Sequence, residues 1–425
     1  MNLGWRRALR QFLRIVVVLL CVLIPFGLDH VMSMVSRDPC KPHLIGSSNP
    51  ADWVETWIYR IFTESGFRDI RSRSTAVVLL RQRELPQELF SNICKQRPFL
   101  ASVVRQVGEA GAAQIVIDKY FSPTSCTDTA ANLALIDSIK ETSVKTPIVI
   151  GISTVPRALF LNLHPDLSQT QRRQLDKACL VVADYLDFLN PRDVHQGVLR
   201  ADADLRKIAL AWPVFPTSTL DKPPEVWPSL SAVAATLRDP EVGRRRIFEE
   251  DLKRNVHPLT SFIKADKIAA VSAAAVACVA GVHVSGYQCP NPPGDLQVLR
   301  GRIVLIGDDS ATDTYPTPVG DMPGVFLQAN YIESLLDDRY FKTFPAWVEA
   351  LMALAWVLTI GLWFGTHKTS SMGVLARPFL AAIMILLACS WLAFQITGFL
   401  CFFAIPSGAI ALGLRCVEKI GEWAS

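Results

Sequence analysis

The sequence predicts an α/β domain, with a mixed or mostly parallel sheet and flanking helices, joined to an α-helical membrane region of one N-terminal and three C-terminal transmembrane helices. Three observations carry this. Half of the 425 residues are apolar and the mean hydropathy is +0.27, above the range usual for soluble chains of this size. Long apolar runs flanked by Arg and Lys stand at both ends. Between them, short β-rich runs alternate with amphipathic stretches, the pattern of βαβ units.

The N-terminal element begins with Arg6, Arg7, Arg10 and Arg14, followed by the apolar run Ile15–Leu28. No small-residue cleavage site follows, since Asp29, His30, Val31 and Met32 come next. An uncleaved anchor is therefore expected, with its basic end held inside. Residues 29–74 read as a lead-in, in which Trp53, Trp57, Ile58, Ile61 and Phe62 form an apolar stripe at helical spacing. Such a stripe packs on a protein core or lies on a membrane.

Within the domain, Ala76–Leu80 predicts a buried strand and Pro98–Gly111 a helix, with Pro98 near its start and Gly111 at its end. Gln114–Ile117 is a second strand, ended by Asp118. A helix over Asp128–Ser143 and a third strand over Ile148–Ile152 follow. A mostly polar helical insertion is expected over Leu167–Asn190, a strand at Ile208–Ala211 and a helix at Ser229–Leu237. Ile268–Gly281 is apolar but too short for a span, and reads as a buried helix. Ile303–Ile306 predicts a buried strand ending at Gly307 and Asp308, and Val325–Leu336 a helix leading out to the membrane.

From Pro345 onward the chain turns apolar. Ala346–Gly365 makes a span of about twenty residues, and Thr366–Pro378 carries His367, Lys368 and Arg377 without an acid. Phe379–Leu414 is uncharged throughout and too long for one crossing at about 1.5 Å per residue, so it is expected to fold as two spans turning at Gln395–Gly398. Arg415 and Lys419 close it. Both segments assigned to the cytoplasm are then basic and the outer turn is uncharged, as the positive-inside rule requires. The expected divisions are residues 1–30, a basic N-terminus with the first span; 31–344, the exported domain; 345–415, three spans; and 416–425, a short cytoplasmic tail. This places the chain in a bacterial inner membrane, with the lipid bilayer as its first partner.

The net charge of +4 is small and scattered, which excludes a nucleic-acid binder. The one dense basic cluster, Arg244 to Arg246, is followed by Glu249, Glu250 and Asp251 and reads as a solvated helix face. Six cysteines, Cys40, Cys94, Cys126, Cys179, Cys278 and Cys289, fall in the exported part, where disulfides are permitted. One or two bridges are expected among them, with no connectivity fixed, and Cys278 also suits a buried thiol. Phosphate-binding, nucleophile-elbow and zinc-binding motifs do not occur, so no catalytic residue, metal ligand or cofactor is expected.

The candidate ligand-binding residues lie where open α/β sheets place ligands, at the carboxyl ends of strands. Asp118 ends one strand and Asp308 and Asp309 end another, so the three define a pocket for a cation or polar solute. Capping of helices and turns is the alternative use of such residues. Asp313 and Thr317 complete the candidate set, either within a structured loop or in recognition.

Several segments resemble the second type of CHASE domain, an extracytoplasmic sensory module of bacterial receptors. They are Gly301 to Gly307, Asp313, Thr317 with Pro318, Met322 to Val325, Gln328 to Asn330 and Ile332 to Leu336. Upstream, Gly197, Asp202, Asp204, Arg206, Pro228 to Leu230, and Ala110 with Gly111 before the strand ending in Asp118 also match. The resemblance covers about residues 40–340 and extends to one span before and three after. It departs at Leu80, Arg81 and Gln82, where acidic residues are usual, and at the C-terminus, where only Cys416–Ser425 follow the last span. It implies a sensor, not an enzyme, that relays a ligand or partner signal to a separately encoded cytoplasmic output protein, with a homo-oligomer also expected. The alternatives are an envelope scaffold that binds another membrane or periplasmic protein and, third, an envelope enzyme.

Overall fold

A computed structural model describes residues 57–63, 65, 71–119, 121, 126–175, 180–182, 194–201, 205, 208–216, 225–245, 259–282, 289, 296–310, 313–337, 340–343, 384, 387–396 and 399–400. These residues divide into two units, one within Thr63–Tyr340 and one combining residues 57–62 with those from Phe341 onward.

The larger unit is built on a sheet whose central strands bury their side chains on both faces. In chain order its principal elements are β1 (Thr75–Arg81), α1 (Ile93–Glu109), β2 (Gln114–Ile117), α2 (Thr129–Ser143), β3 (Ile148–Ile152), β4 (Thr154–Pro156), β5 (Leu180–Val182), β6 (His195–Val198), β7 (Ala211–Pro216), β8 (Glu225–Pro228), α3 (Leu230–Arg238), β9 (Leu259–Thr260), β10 (Ala269–Ser272), α4 (Ala273–Val279), β11 (Ile303–Asp309), β12 (Thr314–Thr317), β13 (Gly320–Pro323) and α5 (Gly324–Leu336). The main sheet runs β10-β1-β11-β2-β3-β6, with every neighbouring pair parallel. Alternation assigns its faces. Ala76, Val78, Leu80, Ile115, Ile117, Ile148, Ile150, Val304 and Ile306 form one core with residues of α1, α2 and α4. The opposite face carries α3 and α5, which pack on each other, on β11 and on the β3–β6 side. Continuous apolar strands are what a parallel sheet covered on both faces demands.

The helix ends follow from local chemistry. Asn92 caps α1 by accepting from Cys94 and Lys95 N–H, and Asp128 caps α2 through Ala130 and Ala131. The helix expected from Pro98 therefore starts five residues earlier, because Asn92 is the stronger signal and Pro98 lies within the early turns. Buried Arg97 donates to Asn132 Oδ1 and so ties α1 to α2. The structure also closes Cys94–Cys126 and Cys278–Cys289 as disulfides. Cys278 is thus bridged and not a buried thiol. Cys40 and Cys179 lie outside the described residues.

Three expectations need correction. The strand expected at Ile208–Ala211 is displaced to Ala211–Pro216, and it belongs to a second sheet, β4-β5-β7-β8. There Trp212 pairs with Trp227 over Ile152, Val198 and Val214. The polar insertion is only partly helical, with Gln169–Leu175 leading to β5. Ile268–Gly281 is half strand, because Ser272 accepts from Ala274 N–H and starts α4 only there, leaving Ala269–Ser272 to pair with β1. Short Ala- and Val-rich runs carry no period that separates these states.

Among the described residues no helix is long and apolar enough to cross a membrane. The expected spans Ile15–Leu28 and Ala346–Gly365, and most of Phe379–Leu414, lie outside the described residues. Within the last, residues 387–396 are helical, so the helix ends inside the expected turn Gln395–Gly398, whose residues 397 and 398 lie outside the described residues. Phe399 and Leu400 are extended, paired in parallel with Lys342 and Thr343.

Candidate functional site

The parallel sheet sends the carboxyl ends of β1, β2 and β11 to one edge. Register places Arg81 beside Asp309 and Leu80 beside Asp308, and Asp118 N–H donates to Ile306 O at 2.8 Å. Beyond β11 the chain passes Asp313, makes the β12–β13 hairpin and starts α5 at Gly324. The hairpin is closed at Thr317, whose hydroxyl donates to Gly320 O and accepts from Val319 N–H, while Gly320 takes the positive φ of 114° that the turn needs.

This path stacks carboxylates. A methyl group added at Gly324 would meet the Asp313 carboxylate at 2.7 and 2.8 Å, so that carboxylate lies against the first residue of α5. Negative charge is favoured there by the helix dipole. A methyl group at Gly307 would stand 2.8 Å from Val325 Cβ and 3.2 Å from Asp118 Cβ. β11, α5 and Asp118 therefore meet with room only for hydrogen. Gly307→Ala is expected to cost about 1–3 kcal/mol by overpacking. A drop of several degrees in the melting temperature of the full chain would check it.

The cluster comprises Asp118, Asp308 and Asp313 with Lys119 and Tyr315. Lys119 Nζ donates to Asp308 Oδ2 at 2.6 Å. Burial, then the neighbouring charges of Asp313 and Asp308, push Asp118 from its ordinary 3.8 up to about 7, with Lys119 opposing. Burial likewise raises Asp313, with Asp308 adding to it, against a hydrogen bond from Tyr315 and the charge of Lys119. Tyr315 is pushed up to about 12 by burial and by Asp313. Asp308 Oδ1 is buried without a hydrogen-bond partner. Chemically, the cluster combines a carboxyl that exchanges its proton near neutral pH with free acceptor capacity at Asp308 Oδ1, while among the described residues no group of three or more His, Cys, Asp and Glu side chains could hold a metal ion.

Of the expected site residues, Asp118, Asp308 and Asp313 come together. Asp309 turns to the β1 side, where its Oδ2 lies 3.9 Å from Arg81 Nε. Arg81 also binds Glu84 at 2.8 Å. Burial disfavours the charged form of Glu84, but hydrogen bonds from Ser272 and Arg81 outweigh it and hold the carboxyl below its usual range. Thr317 serves the hairpin turn. Sequence reasoning missed Lys119 and Tyr315, although adjacency of Lys119 to Asp118 was a usable signal.

It also missed the role of Glu333. This side chain, 1% exposed in the last turns of α5, accepts at Oε1 from Ser72 Oγ (2.7 Å), Ser74 N–H (2.8 Å), Thr75 N–H (2.7 Å) and Thr75 Oγ1 (2.9 Å). Asn330, one turn earlier, accepts from Ile263 N–H at 2.6 Å and donates to Ile263 O and Phe326 O. Ser334 accepts from Ser261 N–H at 3.2 Å. The segment from Asn330 to Ser334 thus fastens α5 to the start of β1 and to the irregular segment that follows β9.

No curated protein and no solved structure matches the chain significantly. The family model of the CHASE2 domain matches residues 53–362. That match spans the main sheet, the carboxylate edge and α5, and the chain therefore belongs to the CHASE2 domain family, a family of extracytoplasmic sensory domains.

Proposed function

We propose that the chain is a membrane-anchored sensor that perceives a small polar or cationic solute at the Asp118, Asp308 and Asp313 cluster and relays it through α5. Residues 31–344 form the extracytoplasmic part, with one span before it and three after it in the inner membrane. The signal is handed to a separate cytoplasmic output protein. One observation carries this reading. The Asp313 carboxylate lies against the first residue of α5, and Glu333 near the end of the same helix grips Ser72–Thr75, where the chain comes into the domain. A rigid helix of thirteen residues, about 20 Å long, therefore joins the perceiving edge to both chain connections of the domain.

A solute can shift such a device only by binding one arrangement of α5 better than another. Asp313, whose charge is matched to the α5 N-terminus, and Asp118, poised to exchange a proton, supply that difference. Family membership in a sensory class supports the same reading. A periplasmic-activity reporter fused after Leu230 tests the placement. Activity outside the cytoplasm is expected, and activity confined to the cytosol would refute it.

A further inference from the structure

The lead-in helix carries two faces of different character. Ile58, Tyr59 and Phe62 are 5, 0 and 5% exposed, whereas Trp57 and Ile61 are 52 and 37% exposed. The buried face packs on the helix of residues 387–396. Tyr59 meets Phe394 edge-on at 6.2 Å, Phe62 lies 5.6 Å from the same ring, and Gln395 Nε2 donates to Phe62 O at 2.7 Å. Its partner helix belongs to the uncharged run Phe379–Leu414, and exposes Leu392 and Ile396. The exposed face of the lead-in helix sets Trp57, Arg60 and Ile61 at i, i+3 and i+4, so they share one stripe.

From this we infer that residues 57–63 form an interfacial helix seated in the outer leaflet of the bilayer, docked on the outer end of a membrane span. The inference rests on the membrane reading above. The partner helix sets the surroundings. It lies in an uncharged run and itself exposes Leu392 and Ile396, so the surface that Trp57 and Ile61 continue is apolar. A half-exposed tryptophan beside such a surface suits the headgroup–acyl boundary, with Ile61 reaching the acyl chains. The occupant of this face is phospholipid.

The test uses the full chain labelled with 5-fluorotryptophan in phosphatidylcholine–phosphatidylglycerol nanodiscs. Trp57→Phe assigns the Trp57 resonance, and Trp356 and Trp363 of the expected second span serve as internal references. Lipid nitroxides at carbon 5 or carbon 16 of the acyl chain are then introduced. Trp57 is expected to broaden at least about two-fold more with the shallow nitroxide than with the deep one, as an interfacial side chain should. A Trp57 resonance untouched by either nitroxide, with Trp356 broadened, overturns the inference, whether water or a second copy of the chain covers that face. If neither Trp57 nor Trp356 broadens, the membrane reading fails and this inference falls with it.

Discussion

Glu333→Ala is expected to be the most damaging single change in the domain, lowering stability by about 3–5 kcal/mol. Four donors converge on one buried oxygen, Oε1 of Glu333, and two of them are backbone N–H groups of Ser74 and Thr75. A donor left without its acceptor in the interior costs about 1–3 kcal/mol, more than a bond lost at a surface. The sum is not additive, because the four bonds share one atom. Glu333→Gln keeps an acceptor in place but introduces an amide donor where Oε2 has no partner. It should therefore cost less, about 1–3 kcal/mol. Thermal unfolding of the full chain in nanodiscs checks this, with Glu333→Ala lowering the melting temperature by roughly 6–15 °C. A shift below that of Glu333→Gln would contradict the assignment.

Asp118→Asn should instead stabilise the domain, and only at higher pH. Asp118 has its pKa raised from 3.8 to about 7 by burial and by Asp313 and Asp308. Between about pH 4 and pH 7 the folded state therefore holds a proton that the unfolded chain has already released. Stability falls as pH rises through that window and is level above it. Three pH units correspond to about 4 kcal/mol. Asparagine matches the protonated acid in shape and charge and escapes this loss. At pH 5 the variant and the parent should melt within a few degrees of each other, whereas at pH 8 the variant should melt higher by roughly 8–12 °C. Melting curves at the two pH values decide it, and equal differences at both would show that Asp118 does not hold the proton.

The sheet was legible where burial was complete. Gln114–Ile117 and Ile148–Ile152 are strands at the expected limits, and Ala76–Leu80 and Ile303–Ile306 extend by one to three residues. Parallel strands covered on both faces write themselves as unbroken apolar runs. The second sheet was not legible, because Thr154–Pro156 and Leu180–Val182 are three residues long and gain their strand character from pairing alone. Asp118, Asp308 and Asp313 were found as strand-end and loop carboxylates. Their convergence was not, since it depends on β11 lying between β1 and β2, an order that the chain sequence does not state. Thr317 shows the reverse case, a residue singled out by motif that the hairpin turn accounts for in full. Glu333 was visible only as part of the Ile332–Leu336 motif. Helical periodicity puts a glutamate in that segment without saying which backbone amides it will meet.

The claim on which the sensor reading turns is that α5 carries a change at its first residue to the start of β1. Amide hydrogen exchange of Ser74 and Thr75 in the full chain, comparing the parent with Asp313→Asn at one pH, measures this directly. Both amides donate to Glu333 and neither is near Asp313 along the chain. Removing the charge from the α5 N-terminus weakens its anchorage there. The account expects both amides to exchange about ten-fold faster while Ile115 to Ile117 keep the parent's rates. Faster exchange confined to residues around Gly324, with Ser74 and Thr75 unchanged, would mean that the helix does not couple the two ends.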